Sequence, residues 1–182
     1  MCAFVLKQPL SKKDLSVLSE RFSEADPESI DLLVRWLICS TDLEHYLNSH
    51  FAQFSTSQAR FSCLMTIYRS PDHCVKPIDI AERLGVTRGN MTGLLDNLEK
   101  DGLITREDDP KDRRINYVKL SKKGTLLLKS ILPMHFLRIK ELTNCLSKNE
   151  QKVFLTCIEK MNHKINDMHS LCNKKYVNKD SE

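Results

Sequence analysis

Apolar residues recur at every third or fourth position along most of the chain, a spacing that predicts a mainly helical protein. The first long helix is predicted to begin after Asp26, which suits the N-cap position, with Pro27 as its first residue and its end near Phe54. Trp36 and Ile38 lie off its main apolar stripe, so a second face of this helix is also apolar. A helix with two apolar faces needs more packing partners than one small domain supplies. The main stripe comprises Ile30, Leu33, Val34, Leu37, Leu43, Leu47, Phe51 and Phe54.

Three shorter helices are predicted to follow. Residues 55–58 (Ser-Thr-Ser-Gln) have the pattern of a capping box for a second helix, which stops at residues 70–71. A third helix begins at Pro77 and ends at Gly85, a residue suited to the left-handed conformation that closes helices. One residue separates Gly85 from Thr87, the predicted N-cap of a fourth helix whose apolar stripe is Met91, Leu94, Leu95 and Leu98. Two helices in such close succession are typical of a helix-turn-helix.

The hydrophobic period changes towards two after Gly102. Residues 103–107 and 115–120 are predicted to form two strands of a hairpin, and the tip between them, residues 108–114, is polar. Together with the preceding helices, this hairpin predicts a mainly α protein with a small two-stranded β-wing. The fold class is a winged helix-turn-helix flanked by long N- and C-terminal helices.

Two long helices are predicted towards the C-terminus. Ser121 caps the first, and Pro133 inside it removes a backbone hydrogen bond and predicts a kink. Ser147 and Glu150 have the spacing of a capping box for the last helix. The predicted segments are an arm with one short helix, a long helix, a winged helix-turn-helix, a pair of helices and a disordered polar tail, with bounds 1–25, 26–55, 56–124, 125–173 and 174–182.

Composition narrows the class of protein. The 182 residues include 28 Lys and Arg against 24 Asp and Glu, and the resulting net charge of +4 permits a nucleic-acid partner without requiring one. No apolar run reaches the roughly 18 residues of a membrane span, and the N-terminal sequence lacks the features of a signal peptide. We therefore expect a cytoplasmic protein without a membrane partner.

The seven cysteines are odd in number and widely spaced, so we expect reduced thiols.

The start of the fourth helix carries the first candidate chemistry. Four polar residues lie there, clear of the apolar stripe: Thr87, Arg88, Asn90 and Thr92. Helix N-termini attract phosphates, and short polar side chains with an arginine reach base edges in the major groove of DNA. Gly89 and Gly93 are poor helix formers, which indicates either close approach of the helix to DNA or loose surface packing.

The predicted hairpin and its flanks carry the second candidate chemistry. From Arg106 to Lys123 there are seven basic residues and four acidic ones. A charged run is usually a solvated face. A basic hairpin directly after a candidate recognition helix favours contact with the minor groove of DNA.

Several segments between residues 78 and 124 resemble corresponding segments of the MarR family of bacterial transcription regulators. The Asp112-Arg113-Arg114 segment is similar to the wing signature of that family. The resemblance implies a homodimer in which the first and last long helices of both chains intertwine, so both sets are expected to be dimerisation helices. It is carried by residues 78–87, 94–104, 112–114, 118–121 and 124.

The resemblance also implies roles at the DNA. Arg114 is expected to enter the minor groove while Asp112 orients the wing, and the polar residues of the fourth helix are expected to face the major groove. Many relatives carry a basic residue where this chain has Gly93, so one expected contact is missing. The predicted DNA-binding residues are Thr87, Arg88, Asn90, Thr92, Lys111, Asp112, Arg113 and Arg114.

The predicted function is a homodimeric, sequence-specific transcription regulator, most simply a repressor whose DNA affinity a small effector modulates. A two-fold dimer would bind an inverted repeat in double-stranded DNA with half-sites about 10 base pairs apart. The alternative is a winged-helix module that docks a protein and has no specific DNA binding. Replacing Arg88 or Arg114 with alanine distinguishes the two, because only a DNA binder should lose DNA affinity. No motif of a nucleophile or a phosphate-binding glycine loop is present, so neither an enzyme nor a cofactor is predicted.

Two control sites are hypotheses. Relatives often bind small aromatic effectors between the dimerisation helices and the DNA-binding lobe, and here His50, Phe54, Phe61 and Met65 are candidates for such a pocket or for ordinary core. Cys74, in a predicted loop with basic neighbours, is a candidate redox sensor or an inert surface thiol. The histidines and cysteines have no spacing typical of a metal site, so none is predicted.

Overall fold

The computed structural model describes residues 7–108 and 116–177, with side chains up to residue 170. The chain divides into two compact units, Met1–Lys129 and Ser130–Glu182. The helices of the described residues are α1 Lys12–Arg21, α2 Pro27–Ala52, α3 Gln58–Tyr68, α4 Pro77–Leu84, α5 Arg88–Lys100, α6 Lys122–Thr143 and α7 Lys148–Val177. The strands are β1 Cys74–Val75, β2 Ile104–Asp108 and β3 Asn116–Leu120. The mainly helical winged fold predicted from the sequence is confirmed.

Polar residues cap the long helices where the sequence predicts it. Asp26 accepts a hydrogen bond from the backbone N–H of Ser29 at 3.0 Å and so begins α2. Before α7, the carboxylate of Glu150 accepts from the N–H of Ser147 at 2.7 Å. The Ser147 hydroxyl accepts in return from the N–H of Glu150 at 3.3 Å, so this predicted capping box is confirmed.

Two predicted helix ends are wrong. The capping box predicted at residues 55–58 does not form, because Ser55 has a φ of 52° outside the helix and Ser57 caps α3 instead. At the other end of the chain, α7 continues to Val177, so residues 174–177 are helical and do not belong to a tail. A helix can continue past its last apolar residue, and the pattern gives no signal for where it stops. Residues 178–182 lie outside the described part of the chain.

The sheet of the wing has three strands in the order β1-β3-β2, so the predicted two-stranded wing is incomplete. All pairs are antiparallel, and the added strand β1 places Cys74 opposite Lys119 and Val75 opposite Val118. Cys74 therefore lies in a strand and not in the predicted loop. A strand of two residues is too short to show an alternating pattern, and its partner lies far away in sequence.

The core of the first unit lies between α3, α4, α5 and the sheet. Three of the four residues in the apolar stripe predicted for α5 are buried, and Leu94 is half-buried. Burial of this stripe leaves the opposite face of α5 directed to solvent. The fully buried side chains of these elements include Leu64, Ile67, Ile80, Met91, Leu95, Leu98, Ile104 and Val118.

Candidate nucleic-acid interface

A tight glycine turn fixes the angle at which α5 begins. Gly85 follows α4 in the left-handed conformation, with φ 64° and ψ 33°, a region that favours glycine. The N–H of Val86 donates to the carbonyl of Ala81 at 3.0 Å and closes the turn. Thr87 then caps α5, since its hydroxyl accepts from the N–H of Asn90 at 3.3 Å. The predicted turn and cap are therefore confirmed.

The four polar residues predicted at the start of α5 come together on one exposed surface. Thr87, Arg88, Asn90 and Thr92 are all exposed. The Thr92 hydroxyl donates to the carbonyl of Arg88 at 3.0 Å, so its oxygen remains able to accept a hydrogen bond. The positive end of the helix dipole and the Arg88 guanidinium both favour an anion at this surface.

Gly89 and Gly93 leave part of the outer face of α5 without side chains. Both are exposed, and a β-carbon placed at either position would meet no heavy atom within 4 Å. Packing inside this chain therefore does not require glycine at these two positions. The absence of side chains allows another molecule to approach the backbone of α5 closely.

Acidic residues occupy the second half of α5 and are paired with the sheet. Arg106 on β2 contacts Asp96 with 2.5 Å between Nη2 and Oδ1, and Glu99 with 3.5 Å between Nε and Oε2. From the sequence, Arg106 counts only as one of the basic residues near the hairpin. Its partners on α5 were missed because no periodic pattern indicates a contact between a helix and the following strand.

The C-terminal end of α5 is attached to two other helices. The Arg60 guanidinium on α3 donates to the carboxylate of Asp101, and the Lys123 ammonium on α6 donates to the Asp101 carbonyl at 2.7 Å. The hydrogen bond from Arg60 is the main reason that the pKa of the Asp101 carboxyl lies below its ordinary value. Both ends of α5 are thus fixed, the first by a cap and the second by side chains.

The base of the wing is partly neutralised by internal contacts. Lys119 on β3 lies 2.5 Å from the Glu107 carboxylate on β2, and this hydrogen bond raises the pKa of the lysine. The Lys76 ammonium lies over the Tyr117 ring, 5.9 Å from its centroid. The predicted wing-tip contacts lie outside the described residues: Lys111, Asp112, Arg113 and Arg114.

The aromatic residues proposed for an effector pocket pack against one another. The rings of His50 and Phe54 are 5.5 Å apart, and Phe51 lies between His50 and Phe61 at centroid distances of 5.0 and 4.5 Å. His50 and Phe61 are buried, while Phe54 and Met65 are half-buried. This packing is typical of a core, and the effector site stays a prediction.

A cavity of about 230 Å³ lies elsewhere, between α4 and α5. It opens beside two of the polar residues at the start of α5, so any occupant would lie next to the proposed DNA surface. Its lining residues are Pro77, Ile78, Ala81, Arg88, Met91 and Thr92.

The cysteines differ in their surroundings. Burial raises the pKa of the Cys63 thiol to about 12, which disfavours the reactive thiolate. Cys74 is half-buried on β1, and its redox role stays a prediction.

Across the described residues, no group of three or more His, Cys, Asp or Glu side chains is placed to hold a metal ion. None of the helices described is both long and apolar enough to cross a bilayer.

Comparison with known proteins shows which protein family and which transcription regulators this chain resembles in sequence. Residues 56–115 match the family model of the MarR family. The chain is 29% identical over 150 residues to the HTH-type transcriptional repressor YetL of Bacillus subtilis, covering 82% of this chain and 90% of that protein. It is 39% identical over 101 residues to YkoM of Bacillus subtilis, an uncharacterised HTH-type transcriptional regulator, covering 55% of this chain and 64% of that protein.

The solved structures agree at the level of the fold. Sco3205 of Streptomyces coelicolor, a MarR family transcriptional regulator in complex with DNA, superposes with a TM-score of 0.69 at 21% identity. The alignment covers 75% of this chain and 88% of that one. The chain therefore carries a MarR family domain over residues 56–115, and its winged fold is similar to that of a MarR family transcription regulator.

Proposed function

We propose that this protein is a homodimeric transcription regulator that binds double-stranded DNA in a sequence-specific manner, most simply as a repressor. The observation that carries the proposal is the capped start of α5, where four polar side chains are exposed together while the opposite face of the helix is buried. A helix held in this way by a preceding helix and a tight turn suits the major groove. The names of the relatives and the DNA complex of Sco3205 support the same class of function.

The residues proposed to contact the major groove offer different chemical groups to the DNA. Arg88 at the first turn supplies a cation for a phosphate or a guanine edge, and Asn90 supplies an amide suited to adenine. Thr87 and Thr92 supply hydroxyl oxygens on the same surface. The wing tip is proposed to contact the minor groove through its basic residues. A small effector that couples to this surface by about 1–3 kcal/mol would change DNA affinity roughly 5- to 150-fold.

A second copy of the chain is the proposed partner of the exposed apolar faces. In the first unit, Leu32, Leu33 and Leu37 on α2 are 62%, 48% and 44% exposed. In the second unit, α7 exposes Val153, Phe154, Leu155 and Met168. Apolar surfaces of this kind mark interaction sites, and a two-fold dimer would present two copies of α5 to an inverted repeat.

The dimer is tested by molar mass in solution. We expect sedimentation equilibrium to give the mass of two chains for the wild type, and a shift towards one chain for Leu33→Glu, because the substitution places a charge in the proposed interface. Leu33→Met keeps an apolar side chain of similar volume and should leave the dimer intact. A wild type that stays monomeric at micromolar concentration would contradict the proposal.

DNA binding is tested with duplexes that the wild-type protein selects from a random pool. We expect Arg88→Ala to weaken binding by about 1–3 kcal/mol, roughly 5- to 150-fold, in a gel shift at fixed salt. Lys148→Ala removes the same charge from the start of α7 and serves as the matched control, with a change of less than about twofold expected. If the wild type selects no sequence, or if Arg88→Ala binds as tightly as the wild type, the protein-docking alternative is preferred.

A further inference from the structure

We propose that Arg106 supports DNA binding by neutralising the two carboxylates in the second half of α5, which would otherwise repel the DNA backbone. The proposal rests on the proposed function, since it assigns a role to Arg106 in the same DNA interface. The observation behind it is one guanidinium shared by two carboxylates, Asp96 and Glu99, that lie one helical turn apart.

The charges of α5 explain why such a residue is needed. Over its length α5 carries two basic residues, Arg88 and Lys100, and two acidic residues, Asp96 and Glu99. Without a further cation, this helix would meet the DNA polyanion with no net positive charge. Arg106 supplies that cation from outside the helix.

The position of Asp96 makes its charge relevant to a bound duplex. Asp96 lies one turn after the exposed Thr92 and Gly93, and its own side chain is 56% exposed. An uncompensated carboxylate there would repel phosphates on either side of the groove. Paired with Arg106, the same carboxylate is fixed in direction and its charge is offset.

The partial exposure of this cluster argues against a role in stability alone. The Arg106 side chain is 33% exposed and Glu99 is 41% exposed. Ion pairs as exposed as these contribute little to the free energy of folding. They do change the electrostatic interaction with a charged partner, because the exposed charges lie close to the surface that the partner approaches.

Arg106 also joins the two elements proposed to contact DNA. It lies on β2, which leads directly into the wing, and its guanidinium contacts α5 near the middle and near the end of the helix.

The test compares charge removal with charge compensation. Arg106→Gln removes the cation, and the triple variant Arg106→Gln, Asp96→Asn, Glu99→Gln removes the two carboxylates as well. We expect Arg106→Gln to weaken binding to the duplex selected by the wild type about tenfold, with a smaller loss at higher salt. The triple variant should recover to within about threefold of the wild type, although it has no ion pair left in the cluster.

A merely structural role predicts a different pattern. In that case the triple variant would bind as weakly as Arg106→Gln, because both lack the bridge between α5 and β2, and this result would overturn the proposal. Equal binding by Arg106→Gln and the wild type would also overturn it. Urea unfolding of each variant checks the fold, and Arg21→Gln, which removes an exposed positive charge from the last turn of α1, is the control with unchanged binding expected.

The two proposals fail in different ways. If the wild type selects no duplex, the proposed DNA-binding function fails and the inference fails with it. If the wild type binds and Arg88→Ala weakens binding while Arg106→Gln does not, only the role of Arg106 is wrong.

Discussion

Replacing Gly124 with alanine is expected to lower the free energy of unfolding by about 1–3 kcal/mol, because the site has no room for a methyl group. A β-carbon at Gly124 would lie far inside van der Waals contact with the carbonyl oxygen of Leu103, and 3.1 Å from the Cδ2 atom of Leu120. The Leu103 carbonyl cannot easily move, since it accepts the N–H of Ser121 at 3.1 Å. Backbone atoms therefore have to separate at the start of α6.

The control for this prediction is the same substitution at an open position. At Gly89 a β-carbon meets nothing within 4 Å, so Gly89→Ala is expected to raise the free energy of unfolding by up to about 1 kcal/mol through helix propensity. Urea unfolding at one fixed protein concentration measures both variants, since the stability of a dimer depends on concentration. Equal stability of Gly124→Ala and the wild type would contradict the close packing of α6 on Leu103.

Replacing Leu98 with alanine is expected to lower the free energy of unfolding by about 2–5 kcal/mol. Leu98 lies on the inner face of α5 with no exposed surface, so the smaller side chain leaves a cavity beneath the helix. Its carbonyl also accepts the N–H of Leu103 at 2.9 Å, where the chain turns from α5 towards β2. The substitution therefore removes packing close to the turn that connects α5 to the wing, the two elements proposed to contact DNA.

Leu98→Met is the matched control for the cavity. It nearly conserves side-chain volume and is expected to cost less than about 1.5 kcal/mol. The two variants are compared by thermal and urea unfolding, followed by DNA binding at a temperature where both are folded. If Leu98→Ala and Leu98→Met were equally stable, the inner face of α5 would not be close-packed as described.

Local features of the fold were predictable because their signals lie within a few residues of one another. The caps at Asp26, Thr87 and Ser147 and the left-handed Gly85 each depend on neighbours no more than about four residues away. The same holds for the polar start of α5. Burial of the apolar stripe that includes Met91 leaves these polar residues on the exposed side of the helix. These signals, with the resemblance to the MarR family, were sufficient to predict the winged fold and the candidate DNA surface.

Features that depend on contacts between distant residues were not predictable in this way. The two-residue strand β1 exists through its pairing with β3, and Arg60 meets Asp101 across 41 residues of chain. The pairing of Arg106 with α5 depends on how β2 packs beside the helix, although only ten residues separate it from Asp96.

The sequence by itself therefore determined the order of the long helices, the caps of α2, α5 and α7 and the exposed polar residues of α5, because hydrophobic period and capping act locally. The tertiary structure alone decided which charges neutralise each other and where glycine is required, as at Gly124 against the Leu103 carbonyl. The physical reason is that side-chain ion pairs and close backbone approaches depend on distances in space, which hydrophobic periodicity does not encode.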